Sequence, residues 1–213
     1  MRIRINPNNP LEENSYIVSF PDKRAVIIDC GAFYDEEKRR IQDYISSHEL
    51  TLVAHLLTHG HFDHTFGTRF IYETYGLVPV LASEDAFLYT DQVGQLLKLV
   101  GMKYPGIPFE AYTPLEDYEL QSIHCRAIRT PGHTPGGVCY LFEDDSEQAL
   151  FSGDTLFRGS VGRTDHDGGN MLQLLQSIRT QLFPLPDELP VYPGHGPHTT
   201  IGFEKQYNMF LQD

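Results

Sequence analysis

Residues 58–65 read Thr58-His59-Gly60-His61-Phe62-Asp63-His64-Thr65, three imidazoles and a carboxylate in one short stretch. Leu52-Val53-Ala54-His55-Leu56-Leu57 precedes it, an apolar run of strand length that ends in a polar, glycine-containing turn. A chain with this arrangement has to stop a strand abruptly and hand its donors to a loop. Imidazole and carboxylate suit zinc, iron and manganese, and at neutral pH they bind with little proton loss. His59 and His61, two apart in an extended loop, can share one ion. Asp63 and His64 follow a bend and face a neighbouring position. A four-coordinate ion takes about three protein ligands plus a water, so each pair is short of donors.

The second half of the chain supplies them. A strand over 123–128 runs into Thr130-Pro131-Gly132-His133-Thr134-Pro135-Gly136-Gly137. A second strand, over 149–152, delivers Gly153-Asp154-Thr155, and Val191-Tyr192 delivers Pro193-Gly194-His195-Gly196-Pro197-His198. Each time a short apolar run ends in a His or Asp flanked by glycine, whose backbone freedom permits a sharp turn. The donors add up to His59, His61 and His133 for one ion, and Asp63, His64 and His195 for a second, with Asp154 bridging.

The remaining sequence alternates strands and helices, an α/β rhythm. Strands are expected over 1–6, 16–20, 25–28, 80–81 and 138–142. Helices are expected over 35–47 and 64–75, in a Ser83-capped segment, over 95–102, and over 200–211. Asp29, closing the strand over 25–28, either caps a turn or holds a metal-binding imidazole. The irregular aromatic stretch Tyr104-Pro105-Gly106-Ile107-Pro108-Phe109, within 91–118, reads as a packed loop, with a lid over a pocket as the other possibility. His48 and His124 read as structural, and His55, inside an apolar strand, as a hydrogen-bonded core histidine.

A net charge of −13 argues against nucleic acid or an anionic membrane as partner. Three cysteines without CxxC spacing, and no apolar leader after Met1, point to buried thiols and a cytoplasmic protein.

THGHFDHT, PGHTPG, FSGDTLF and PGHGPHT, in that order, resemble the metallo-β-lactamase superfamily, and within it the glyoxalase II-like (hydroxyacylglutathione hydrolase-like) proteins. The resemblance covers most of the chain. It implies a four-layer αβ/βα sandwich of two mixed sheets with a binuclear site at the sheet edge. It also implies two divalent ions, zinc with iron or manganese as alternatives, and a hydroxide shared between them that attacks a thioester such as S-lactoylglutathione. Asp63 and Asp154 are then catalytic as well as ligands. Only 18 residues (213 − 195) follow His195. The expectation is therefore a single domain over 1–213, without the C-terminal helical domain that helps full-length glyoxalase II bind glutathione. Arg163 aligns with a cation that in those enzymes contacts the glutathione glycine carboxylate, and Asp165 stands where they carry an aromatic residue. The same ligands also fit two other activities. One is a mononuclear-iron persulfide dioxygenase using His59, His133 and Asp154; the other is a lactone or other ester hydrolase.

Overall fold

The computed structural model describes residues 1–101, 103, 108–144 and 147–212. Two compact units divide the chain, 1–118 and 119–213.

The first unit is built on a mixed sheet ordered β1 to β6: β1 (Arg2–Asn8), β2 (Glu13–Ser19), β3 (Arg24–Ile28), β4 (Thr51–Leu56), β5 (Val80–Leu81) and β6 (Thr113–Pro114). The first three pair antiparallel, and β3 to β6 pair parallel. Helix α1 (Asp35–Ser47) makes the crossover from β3 to β4 and lays Ile41 and Ile45 on a buried cluster with Ile17, Ala25, Ile27 and Ile71. At its start, the buried Glu37 reaches back to accept from the Phe33 and Tyr34 N–H groups at 2.7 and 2.8 Å, satisfying donors that a helix N-terminus leaves open.

Where a single helix over 64–75 is expected, the chain forms α2 (Phe62–Thr65) and then α3 (Thr68–Tyr75). The break falls at Gly67, whose N–H donates to the Cys30 carbonyl at 2.7 Å. A Cβ there would stand 2.4 Å from Cys30 Sγ, so only glycine admits this approach. Ser83 is not a helix cap. It lies inside a 3₁₀ turn (Ser83–Asp85) that leads into α4 (Ala86–Tyr89), and its hydroxyl donates to Glu116. The helix expected over 95–102 is α5 (Gln92–Val100); it starts earlier because Asp91 accepts from the Gly94 N–H. Of the expected loop, Pro108 accepts from Arg69 and Phe109 packs on Tyr72 at 4.5 Å. Residues 104–107, with the lid alternative, lie outside the described residues.

The second unit has a mixed sheet ordered β13-β12-β9-β8-β7. Its strands are β7 (Cys125–Arg129), β8 (Val138–Glu143), β9 (Gln148–Gly153), β12 (Pro190–Pro193) and β13 (Thr199–Thr200); β10 (Leu156–Phe157) and β11 (Ser160–Val161) form a separate hairpin. The strand expected from 123 starts later, because Ile123 ends a 3₁₀ turn and His124 takes a left-handed φ of 53°. Helix α6 (Met171–Ser177) continues as a π-helical turn (Ile178–Leu182). Together they press Leu174, Ile178 and Leu182 onto Ile128, Leu141, Leu150 and Val191. The last helix, α7 (Ile201–Tyr207), is capped by Thr200, which accepts from the Phe203 N–H. It ends at Tyr207, four residues before the expected 211, with Asn208 as its C-terminal cap. All three cysteines are buried thiols. Among the described residues no helix is long and apolar enough to cross a membrane.

Candidate metal centre

On the first unit the donors are organised by Asp29, which follows β3 with a left-handed φ of 54°, a conformation costly for a residue with a Cβ. That geometry turns its carboxylate toward the end of β4. Oδ1 accepts from the Thr58 N–H at 2.7 Å, and Oδ2 from the Thr58 hydroxyl at 2.8 Å and from His64 Nδ1 at 2.9 Å. Asp29 therefore does both jobs open to it in the sequence, closing the turn and holding an imidazole.

The Thr58 hydroxyl has spent its only hydrogen on Asp29, so it accepts from His59 Nδ1 at 3.0 Å. Both His59 and His64 are thereby fixed as Nδ1–H tautomers that present Nε2 as the lone-pair atom. His59 has a nitrogen within 4.8 Å of one on His61 and of one on His64. Asp63 Oδ2 stands 3.8 Å from His64 Nε2. Gly60 threads this loop through a narrow gap: its N–H donates to the buried Asp85 at 2.9 Å, and a Cβ would meet the Asp85 carbonyl at 2.8 Å.

On the second unit the centre is Asp154. Its Oδ2 lies 3.5 Å from His133 Nε2 and its Oδ1 lies 3.8 Å from His195 Nε2, so each oxygen faces a different imidazole. His133 Nδ1 donates to the Arg163 backbone carbonyl at 2.7 Å, which again leaves Nε2 as the lone-pair atom. His166 Nε2 lies 3.3 Å from the same Nδ1. Gly162 lets the two loops meet, since a Cβ there would fall 1.8 Å from the Asp154 carbonyl oxygen and 3.1 Å from His133 Nδ1. Behind Asp154, the Thr155 and Thr130 hydroxyls are joined at 2.9 Å.

These donors fit divalent cations: His59, His64 and His133 are held with Nε2 as the lone-pair atom, and carboxylates stand beside them. Glu13, Asp29 and His64 also cluster within 4.8 Å, but the Asp29 oxygens and His64 Nδ1 are already committed to one another and to Thr58. That group supports the ligands.

The Arg163 side chain is largely exposed and holds Asp165 through two bonds, Nε to Oδ1 at 2.7 Å and Nη2 to Oδ2 at 3.0 Å. This pairing lowers the Asp165 carboxyl to about 2 and raises the guanidinium. Arg158 packs over the Phe203 ring. His55 is in the core as expected, but neither ring nitrogen has a hydrogen-bond partner, and burial pushes its pKa down to about 3.

A model of the metallo-β-lactamase superfamily matches residues 8–195. The chain belongs to that superfamily. Hydroxyacylglutathione hydrolase GloC of Haemophilus influenzae is 34% identical over 220 residues, covering 99% of this chain and 98% of its own. Among solved structures, the BLEG-1 B3 metallo-β-lactamase superposes with a TM-score of 0.87 at 33% identity, covering all of both chains. TTHA1623 in a di-iron-bound form gives 0.83 at 35% identity, covering 98% of this chain and all of that one. The α/β architecture of mixed sheets expected from the motifs is thus borne out, as is the family resemblance, and the chain is a metallo-hydrolase of this superfamily. Besides Asp29, four contributors stand outside the seven ligands: Thr58, Asp85, Gly162 and the Arg163 carbonyl. Gly162 carried a signal, a glycine between Val161 and Arg163 soon after Asp154.

Proposed function

We propose that the two units act as one catalytic domain, and that the donors His59, His61, Asp63 and His64 with His133, Asp154 and His195 hold two divalent ions for thioester hydrolysis. S-lactoylglutathione is the substrate that the GloC resemblance favours. The observation that carries this reading is Asp154, whose two oxygens each face a different imidazole, as a bridging carboxylate requires. Zinc and iron both suit the donor set, and a di-iron relative supports the second.

Bound ions of this kind lower the pKa of a coordinated water from 15.7 toward about 7 and polarise a carbonyl oxygen. The chain's own residues supply the rest. Asp29, Thr58 and the Arg163 carbonyl keep three imidazoles in one tautomer and one orientation, so no reorganisation is needed during the reaction. Asp63 is the base that holds the proton lost by the attacking water. The water oxygen adds to the thioester carbon, the C–S bond breaks, and the departing thiolate takes up a proton. Arg163 is the cation for a substrate carboxylate, and to grip one it exchanges its bond to Asp165.

The test is elemental analysis after metal supplementation, with S-lactoylglutathione hydrolysis measured beside oxygen uptake on glutathione persulfide. Two ions per chain and thioester turnover are expected. One ion with oxygen uptake would replace this reading by the persulfide dioxygenase.

A further inference from the structure

Helix α2 has only four residues, yet it carries two of the candidate ligands, Asp63 and His64. A helix this short leaves its carbonyls to be satisfied from outside. The helical partner of the Asp63 carbonyl would be the Gly67 N–H, four residues on, but that hydrogen goes to the Cys30 carbonyl at 2.7 Å. Asn9 takes its place, donating from Nδ2 to the Asp63 carbonyl at 2.9 Å. The Cys30 N–H donates to the next carbonyl, that of His64, at 2.9 Å.

Asn9 is buried in the turn between β1 and β2 with a left-handed φ of 51°, a region that asparagine enters more readily than most residues. Its Nδ2 also donates to the Gly31 carbonyl at 3.0 Å, and its Oδ1 accepts from the Leu11 N–H at 2.9 Å. An amide supplies two donors and an acceptor at this reach, whereas a carboxylate would set an oxygen against two carbonyls. The approach is close: a Cβ on Gly31 would fall 2.3 Å from the Asp63 carbonyl oxygen and 2.5 Å from Asn9 Nδ2. His59 and His61 are held from elsewhere, because Gly60 between them donates to Asp85 at 2.9 Å and accepts from Gln95 Nε2 at 3.4 Å.

We propose that Asn9 is a positioning residue for one of the two ions, the one assigned to Asp63, His64 and His195, and that it decides whether the chain retains two ions or one. This rests on the binuclear reading above. Loss of the Asn9 amide frees the Asp63 backbone, while Asp85 and Gln95 keep the loop of His59 and His61 in place. The ion at Asp63 is then held less tightly and its neighbour is not.

The full chain, freed of metal, is titrated with zinc by calorimetry, and imidazole NMR assigns each binding step to His61 or His64. Urea unfolding without metal runs beside it. Asn9→Asp removes both donors at constant size. Asn9→Gly removes the side chain and relieves the left-handed backbone, and it carries the test where Asn9→Asp fails to fold. Glu37→Gln is the control. Glu37 accepts from the Asn9 N–H at 2.7 Å and from the Phe33 and Tyr34 N–H groups, so this change loosens the same turn without touching Asp63. In both Asn9 variants the step that shifts His64 should weaken about 10- to 100-fold, the usual cost of losing a partner behind a ligand, with the His61 step unchanged. Glu37→Gln should lose stability and keep both steps. Asn9 variants that keep both steps, or weaken both together, make Asn9 a structural residue only; the inference falls and the binuclear reading stands. The same selective loss in Glu37→Gln assigns the effect to the turn as a whole and likewise overturns the inference. A wild type that takes up a single ion overturns both.

Discussion

His55→Leu should make the protein less sensitive to acid. His55 is the next-to-last residue of β4, opposite Ile27 of β3, fully buried and with no hydrogen-bond partner on either ring nitrogen among the described residues. Burial disfavours the imidazolium, so the folded pKa falls from 6.5 to about 3. A base with a depressed folded pKa costs nothing above pH 6.5, where it is neutral in both states. Below 6.5 the unfolded chain takes up the proton and the folded chain does not. Stability is therefore lost progressively as pH falls from 6.5 toward 3. At pH 5.5, one unit below the unfolded value, the loss is about 1.4 kcal/mol, with a ceiling of about 5 kcal/mol below pH 3. Leucine does not titrate, and it also removes a buried polar group whose missing partners cost roughly 1–3 kcal/mol.

Urea unfolding of the metal-free wild type and His55→Leu, at pH 7.5 and 5.5, isolates the effect as a difference of differences. Other histidines titrate alike in both proteins and cancel. The wild type should lose about 1.4 kcal/mol more than the variant over this interval. Equal losses would mean that His55 is hydrated or partnered in solution and would refute the argument.

Asp29→Asn keeps the shape but removes the charge that orders Thr58 and His64; metal affinity should fall about 10- to 100-fold, read by competition with a chromophoric chelator. Gly162→Ala forces a Cβ into the Asp154 carbonyl; it should cost about 1–3 kcal/mol of stability and lower the metal content, both measurable on the purified variant. Arg163→Ala should raise KM for a glutathione thioester several-fold with a smaller change in kcat, the pattern of lost uniform binding. Asp165→Ala, which releases the guanidinium, should lower KM instead; steady-state kinetics on the two variants decides whether Arg163 grips substrate.

The donor-bearing loops were legible because each chemistry-bearing residue sits where an apolar run stops, and strand ends are readable from hydropathy. The family motifs then named the fold. What hydropathy does not encode is backbone approach. The break between α2 and α3 depends on Gly67 meeting Cys30, a contact between residues far apart in sequence. Ser83 has the chemistry of a cap, yet the turn begins one residue earlier and its hydroxyl goes to Glu116. The 171–182 segment did carry a helix signal: Asn170 as cap, with Leu174, Ile178 and Leu182 four apart. It holds no candidate ligand, and reading from motif to motif passes over it. His55 looked like a core histidine with a partner, because sequence gives position on a strand but not what faces the ring.

The aim of His133 depends on a peptide carbonyl, that of residue 163, and this separates two kinds of change that chains of this sort can accumulate. A backbone acceptor survives replacement of the side chain it belongs to. Around Gly162, the side chains at 158, 163 and 165 can be exchanged for others of different charge or size while the imidazole stays aligned. His59 and His64 have no such protection, because both are aimed through the carboxylate of Asp29, and one substitution there disturbs two ligands together. Selection for new substrates therefore has a permissive loop on one half of the chain and a brittle hub on the other. Directed libraries should randomise the first and leave the second alone.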